Sequence, residues 1–235
     1  LMYCARHEDF TCVIKLIENG ADVNFLKRND NATALIVALQ AIESHSIRGN
    51  NNNSELLRIV RVLIRHMSTN ALNAKLVKKQ DSALSLAMTL GLVDIVHLLI
   101  EQGVDIESQR LTIDGSTPLV LSIMCIKLSK QTNIDVQLPI HKEDRIKLAK
   151  AFNIFGNAIY TEELDAQLKK VISQLPKEST INPYKNNQED RYKIFDLILK
   201  HTKNINFVDK YNKTALIYSK EMGEKYLVEE ILKRR

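Results

Sequence analysis

A chain of 235 residues with 45% hydrophobic content carries enough apolar side chains for a sizeable core, in one large domain or two small ones. Its 33 basic and 28 acidic residues leave a net charge of only +5, which permits nucleic-acid binding without arguing for it. The longest charge-free stretches fall short of the roughly 18 to 20 apolar residues of a membrane span. The opening LMYCARHEDF lacks the basic start and apolar run of a signal peptide, so neither a span nor a leader is expected. Cys4, Cys12 and Cys125 form neither an even set nor a C-x-x-C pair, which predicts reduced thiols in a cytosolic setting.

The chain repeats itself. LIENGADVN at 16–24 returns as LIEQGVDIE at 99–107, and a hydroxyl residue stands two places before a leucine at Thr33–Leu35, Ser82–Leu84, Thr117–Leu119 and Thr214–Leu216. Each of these can begin a helix, because Ser or Thr caps the free N–H groups of a first turn and Pro118 sits where a first helical position tolerates proline. With Leu1 counted as a fifth such leucine, a small residue follows three places later each time: Cys4, Ala38, Ala87, Ser122 and Ser219. Small side chains at one helical position let a neighbouring helix approach closely. From Leu1 to Leu16–Ile17, from Leu84 to Leu99–Ile100 and from Leu216 to Ile231–Leu232 the separation is 15 residues each time. Gly91 and Gly223 fall seven residues after their leucines, where a tight turn joins two helices, and Gly20 and Gly103 follow the second helix as left-handed caps. Each unit then reads helix, turn, helix, extended loop.

The T-[AP]-L start, the small residue, the turn glycine, the [IV]-V-x-L-L core and the G-[AV]-D-[VI]-[NE] ending together resemble the ankyrin repeat, over about two-thirds of the chain. The resemblance implies an all-α fold with short β-hairpin loops, an ankyrin-repeat solenoid of about five helix-turn-helix units with an inserted helical hairpin. Residues 1–235 then form a single domain, with repeats near 1–29, 30–78, 79–112, 113–208 and 209–235. The family's histidine after the leucine is replaced by Met2, Ile36, Ser85, Val120 and Ile217, so its bond to the capping residue is expected to be lost. The hairpin glycine survives as Gly115, with Asn31 and Asn212 in its place elsewhere; Asn tolerates left-handed geometry.

Two units are longer than the period. Leu35 to Leu63–Ile64 is 28 residues and Leu119 to Ile198–Leu199 is 79, which places insertions near 42–54 and 127–190, both at the helix–helix turn and both on the same edge. The first, with RGNNNNSE at 48–55, reads as a polar loop ending at a Ser54 cap. In the second, 142–160 and 161–175 carry apolar residues at helical spacing, a helical hairpin with Thr161 as a cap, and 176–190 reads as a returning loop. The helix at 119–126 is apolar on every side, so either the inserted hairpin folds over Val120, Leu121, Met124 and Ile126 or a partner does; proximity along the chain favours the hairpin.

Chemistry is sparse. Cys4 and His7 share the spacing of a thiol–imidazole pair, but Cys4 fills the small-residue core position. The six histidines are scattered without metal-ligand spacing, and no phosphate-loop, dinucleotide or nucleophile-elbow motif occurs. Arg145, Lys147, Lys150, Lys169 and Lys170 read as the solvated face of amphipathic helices. No catalytic residue, metal, cofactor or small-molecule substrate is therefore expected, and nucleic acid and membrane are disfavoured as partners.

A solenoid leaves a long rigid face and projecting loops, a shape suited to binding other proteins. The resemblance implies protein recognition without catalysis, at loop-tip residues Phe25, Leu26, Lys27, Arg28, Arg110, Leu111, Lys210 and Tyr211 and at inner-helix residues Val37, Gln40, Leu86, Thr89, Leu121, Met124, Tyr218 and Glu221. Leu1 lies inside a first helix, which predicts an upstream segment and with it two alternatives: a recruitment domain of a larger enzyme or secreted effector, or an inserted hairpin that is itself the active or lipid-binding element. The abundance of Asn, Lys and Ile fits an AT-rich genome, as in intracellular bacteria whose ankyrin proteins act as effectors in the host cytosol. Deleting Asp135–Gln188 and rejoining the helices is expected to leave the repeat stack folded; complete loss of the far-ultraviolet helical signal would show that the insertion belongs to the core.

Overall fold

Thr33, Ser82, Thr117 and Thr214 do start helices, and each does so through its own side chain. Their hydroxyl oxygens accept from the amides of Ile36 (3.2 Å), Ser85 (3.1 Å), Val120 (3.4 Å) and Ile217 (3.4 Å), satisfying a donor that a helix start otherwise leaves open. The computed structural model describes residues 1–47, 52–78, 80–107, 116–130 and 188–234, all within the unit formed by Leu1–Lys130 and Asn182–Arg235. Its helices are α1 (Met2–Arg6), α2 (Phe10–Glu18), α3 (Ala34–Ile47), α4 (Ser54–His66), α5 (Thr69–Leu72), α6 (Ala83–Leu90), α7 (Val93–Glu101), α8 (Pro118–Lys130), α9 (Gln188–His201), α10 (Ala215–Glu221) and α11 (Lys225–Lys233).

These helices pack as pairs in two layers. α1 with α2, α3 with α4, α6 with α7, α8 with α9 and α10 with α11 form the pairs. The first helices touch in the row α1, α3, α6, α8, α10, and the second helices in the row α2, α4, α7, α9. That arrangement is an all-α helical-repeat solenoid. Leu35, Leu84, Leu119 and Leu216 are buried between neighbours, each contributing roughly 2 kcal/mol relative to exposure. Ala38, Ala87, Ser122 and Ser219 are buried as the close-approach positions, and the two serine hydroxyls donate to carbonyls of their own helix, Leu119 and Ala215. Cys4 is only half-buried.

The turns are tighter than the glycine count suggests. Gly91 and Gly223 take positive φ at the helix–helix turn, and Glu8 takes the same conformation (φ 62°) at the corresponding place in the first pair. In the hairpins Asn31 and Asn212 adopt φ 57°, as expected, and Gln80 joins them at φ 59°. Amides of Asn31, Gln80 and Asn212 donate to the carbonyls of Lys27, Leu76 and Asp209, so the loops close without glycine. Among the described residues these hairpins contain no strand, only the isolated antiparallel bridge of Lys75 with Ser82.

Consecutive loops are also joined to one another. Asn24 accepts from the Ser68 amide (2.7 Å), Asn73 from the Asp105 amide (3.0 Å), and the Glu107 carboxylate from the amides of Lys203 and Asn204. Each repeat ending therefore supplies the acceptor that fixes the next one.

Several expectations need correction. The extra residues of the second unit are not all loop: α3 continues to Ile47, and α3 and α4 hold 14 and 13 residues where α6 and α7 hold 8 and 9. Ser54 does not cap α4; it is the first helical residue, with Asn53 as the cap and the Ser54 hydroxyl donating to Asn52. The loop expected through residue 190 gives way to helix at Gln188, because Glu189 and Asp190 suit a first turn. Ser85 does not lose the bond of the missing histidine: its hydroxyl accepts from the Ser82 amide (2.8 Å) and donates to the Ser82 carbonyl (3.0 Å). Cys4 and Cys12 are not reduced but joined in a disulfide, since the turn of the first pair brings their Cα atoms to 6.0 Å; with that, the thiol argument for the cytosol lapses. Cys125 is the free thiol, and burial pushes it up to about 11 against the opposing Arg191 charge. The inserted hairpin with Thr161, Gly115 of the third hairpin and the basic cluster from Arg145 to Lys170 lie outside the described residues.

The two long pairs overhang their short neighbours and grip the turns there. On α3, His45 lies 3.2 Å from the Glu8 carboxylate. On α9, buried Arg191 donates to the Met88 carbonyl at the C-terminal end of α6 (2.6 Å), where a cation complements the helix dipole, and a Cβ on Gly91 would sit 3.4 Å from its guanidinium carbon. Lys130 of α8 and Tyr192 of α9 both bond Glu224 beside the last turn, at 2.5 and 3.2 Å. Arg191→Ala is expected to lower unfolding free energy in urea by about 2 to 4 kcal/mol, since a buried charged bond is lost and a void remains. Arg58→Ala, which removes an exposed i,i+3 ion pair and the stacking of its guanidinium over Phe10, is expected to change it by only about 1 kcal/mol.

Candidate interaction surface

With the turn edge gripped in this way, the opposite edge carries the hairpins, and there the structure places exposed apolar side chains. Phe25 and Leu26 are 52% and 43% exposed in the first hairpin, Val77 is 53% exposed in the second, and Tyr211 is 57% exposed in the last. Lys27, Arg28 and Lys210 are exposed beside them. The first two hairpins form a single platform: the Val77 amide donates to the Asp30 carbonyl (3.1 Å), and the Ser68–Asn24 bond ties their bases.

The carboxylates of this edge are engaged within their own loops. Asp30 accepts from the Ala32 amide (3.2 Å) and pairs with Lys27, and these contacts hold its carboxyl below the usual range. Asp209 is nearly buried; desolvation opposes its ionisation, but the Tyr218 hydroxyl (2.5 Å) and the amides of Lys213 and Tyr211 outweigh it and hold the carboxyl below its ordinary value. The same contact, together with burial, pushes the Tyr218 hydroxyl up. Asp22, Asp105 and Asn204 each accept from the amide two residues on, a local bond that shapes three of the repeat endings alike.

On the inner row, Val37 and Gln40 of α3, Thr89 of α6 and Leu121 and Met124 of α8 are half-buried at equivalent helical positions. Leu86 departs from the expectation: it is 4% exposed, packed into the core rather than offered to a partner. Tyr218 is half-buried against Asp209, and the exposed Glu221 pairs with Lys213 (2.6 Å), contacts that hold the last hairpin to α10. Val120 and Ile126 of α8 are buried, so of the four apolar residues expected to need a cover only Leu121 and Met124 remain partly accessible. Arg110 and Leu111 lie outside the described residues. Val77 and the exposed Val208 were missed. Counting five residues back from the capping residue finds Val77 before Ser82 just as it finds Arg28 before Thr33, a register obscured by the absence of glycine at Gln80.

The two residues at thiol–imidazole spacing are engaged elsewhere. The Cys4 sulfur is bonded to Cys12, and the His7 ring lies against Tyr3 at 4.4 Å. Among the described residues there is no group of three or more His, Cys, Asp or Glu that could hold a metal, and no helix long and apolar enough to cross a membrane.

Paired helices in two layers, with loops hydrogen-bonded from unit to unit, define a helical-repeat protein. Residues 1–110, just under half of the chain, match the family model for ankyrin repeats (3 copies), so that segment is similar to the ankyrin repeat family. Comparison with curated proteins gives no match. Ankyrin repeats generally bind other proteins and are typically non-catalytic.

Because the folded Asp209 carboxyl titrates below its ordinary value, the stability it adds is complete above the usual carboxylate pKa and is lost as pH falls through the folded value. Asp209→Asn is expected to lower unfolding free energy by about 1 kcal/mol near neutral pH. The difference from wild type, followed by thermal unfolding, should shrink as the pH drops through the carboxylate range.

Proposed function

We propose that the chain is a protein–protein interaction module that receives its partner along the hairpin edge and the adjoining inner-helix row. On this reading the five helix pairs are five repeats, near 1–29, 30–78, 79–112, 113–208 and 209–235, of a single domain with insertions in the second and fourth. The observation that carries it is the exposure of Phe25, Leu26 and Val77 on two hairpins that are bonded to each other and held by backbone contacts. Apolar side chains on a fixed backbone lose little conformational freedom on binding, the condition under which few residues supply most of the affinity. Gln40, Leu121 and Met124, half-buried on the inner row, extend the surface from the loops onto the helices. The role is that of a non-catalytic scaffold or effector module, with no small molecule required.

Bead-bound wild-type protein should retain partner proteins that a Phe25→Ser, Leu26→Ser double variant and a Leu121→Glu, Met124→Glu double variant lose by roughly tenfold, a shift of about 1.4 kcal/mol. Retained proteins are quantified by mass spectrometry, with circular dichroism verifying that the variants are folded. Equal retention by wild type and both variants removes the reading.

A further inference from the structure

We infer that the partner segment seated on the first two hairpins is acidic, an extended peptide bearing carboxylates between apolar side chains. The inference rests on the interaction reading and specifies the partner's chemistry. Its basis is how charge is arranged on the platform. Lys27, Arg28 and Lys78 are exposed around Phe25, Leu26 and Val77. Asp30 is the carboxylate within residues 25–30 and 74–78, and it is turned onto the Ala32 amide and the Lys27 ammonium group. The anion is therefore engaged within its own loop, by the Ala32 amide and Lys27, while Arg28 and Lys78 are exposed beside it. Apolar and cationic groups are interleaved on one fixed surface, so a complementary ligand brings apolar groups and anions in the same alternation.

A polymer of phosphates fits less well. A single-stranded nucleic acid would seek a run of aromatic faces for its bases, and Phe25 is flanked by Leu26 and Val77, which offer none. An anionic bilayer would press a continuous sheet of negative charge against Asp30. A peptide sets discrete carboxylates opposite Arg28 and Lys78 and leaves the Lys27–Asp30 pair undisturbed.

The test is fluorescence anisotropy on the full chain with four probes: a short synthetic peptide alternating Glu with Leu and Phe, the same peptide with Gln for Glu, a single-stranded oligonucleotide, and phosphatidylserine vesicles. The expected result is binding of the acidic peptide at least about tenfold tighter than its Gln counterpart, weakened by added salt. Arg28→Glu with Lys78→Glu should weaken it by about tenfold or more, and Phe25→Ser should weaken both peptides. These substitutions are at exposed positions, and circular dichroism verifies the fold. Equal affinity for the acidic and neutral peptides, with both lost in Phe25→Ser, overturns the acidic preference while the interaction reading stands. Stronger binding of the oligonucleotide or the vesicles overturns it in favour of those ligands. Binding of neither peptide also overturns it, and only equal retention in the bead experiment removes the underlying reading as well.

Discussion

A pair of helices of eight or nine residues each cannot keep its shape alone, because helices that short are marginal in water and both flanks of the pair are apolar. The constraint on this molecule is that every flank must be covered by a neighbour. Leu35, Leu84 and Leu119 lie at the same register on successive first helices and are buried for that reason, and Ala38, Ala87 and Ser122 are small so that those helices can come close. The period of the sequence is the trace of this packing: a leucine must return each time a new pair is added. The directions left over, the hairpin edge and the turn edge, are then open to other uses.

That origin explains which features could be read from the amino acids. The caps at Thr33, Ser82, Thr117 and Thr214 and the positive φ of Asn31 and Asn212 are local matters, settled within a few residues, and spacing alone located them. Glu8 and Gln80 were hidden because neither residue type favours a left-handed conformation; the closure of the loop imposes it, and a composition-based reading has no access to that. The Cys4–Cys12 bridge was hidden for a related reason, since counting cysteines ignores that an antiparallel pair folds position 12 back onto position 4. Arg191 reads as an ordinary charge on an amphipathic helix, and its burial follows from how far α9 overhangs the turn at Gly91.

The candidate surface divides in the same way. Phe25, Leu26, Lys27 and Arg28 are exposed as the repeat register requires, because a hairpin tip has no neighbour to cover it. Tyr218 and Glu221 occupy the right register too, yet their partners Asp209 and Lys213 come from the adjoining loop, a pairing that no helical spacing encodes. Leu86 is at an inner position on one of the short pairs and is buried, while its counterparts Val37 and Leu121 on the long pairs stay half-buried.

The two edges have become different because the long pairs lie on one side only. At the turn edge Glu8 meets His45, the end of α6 meets Arg191, and Glu224 meets Lys130 and Tyr192, so polar groups there are matched within the chain. At the hairpin edge the acceptors Asn24, Asn73 and Glu107 bind the amides of the next repeat, which fixes the backbone and consumes anionic and amide groups while leaving apolar and basic side chains outside. A surface rigid in its backbone and unmatched in its side chains holds its binding groups in place before any ligand arrives, and the ordering that a flexible loop would undergo on association has already occurred during folding. On the proposed reading, recognition belongs to the edge whose backbone is fixed from repeat to repeat, and architecture to the edge where side chains of the long pairs close the turns.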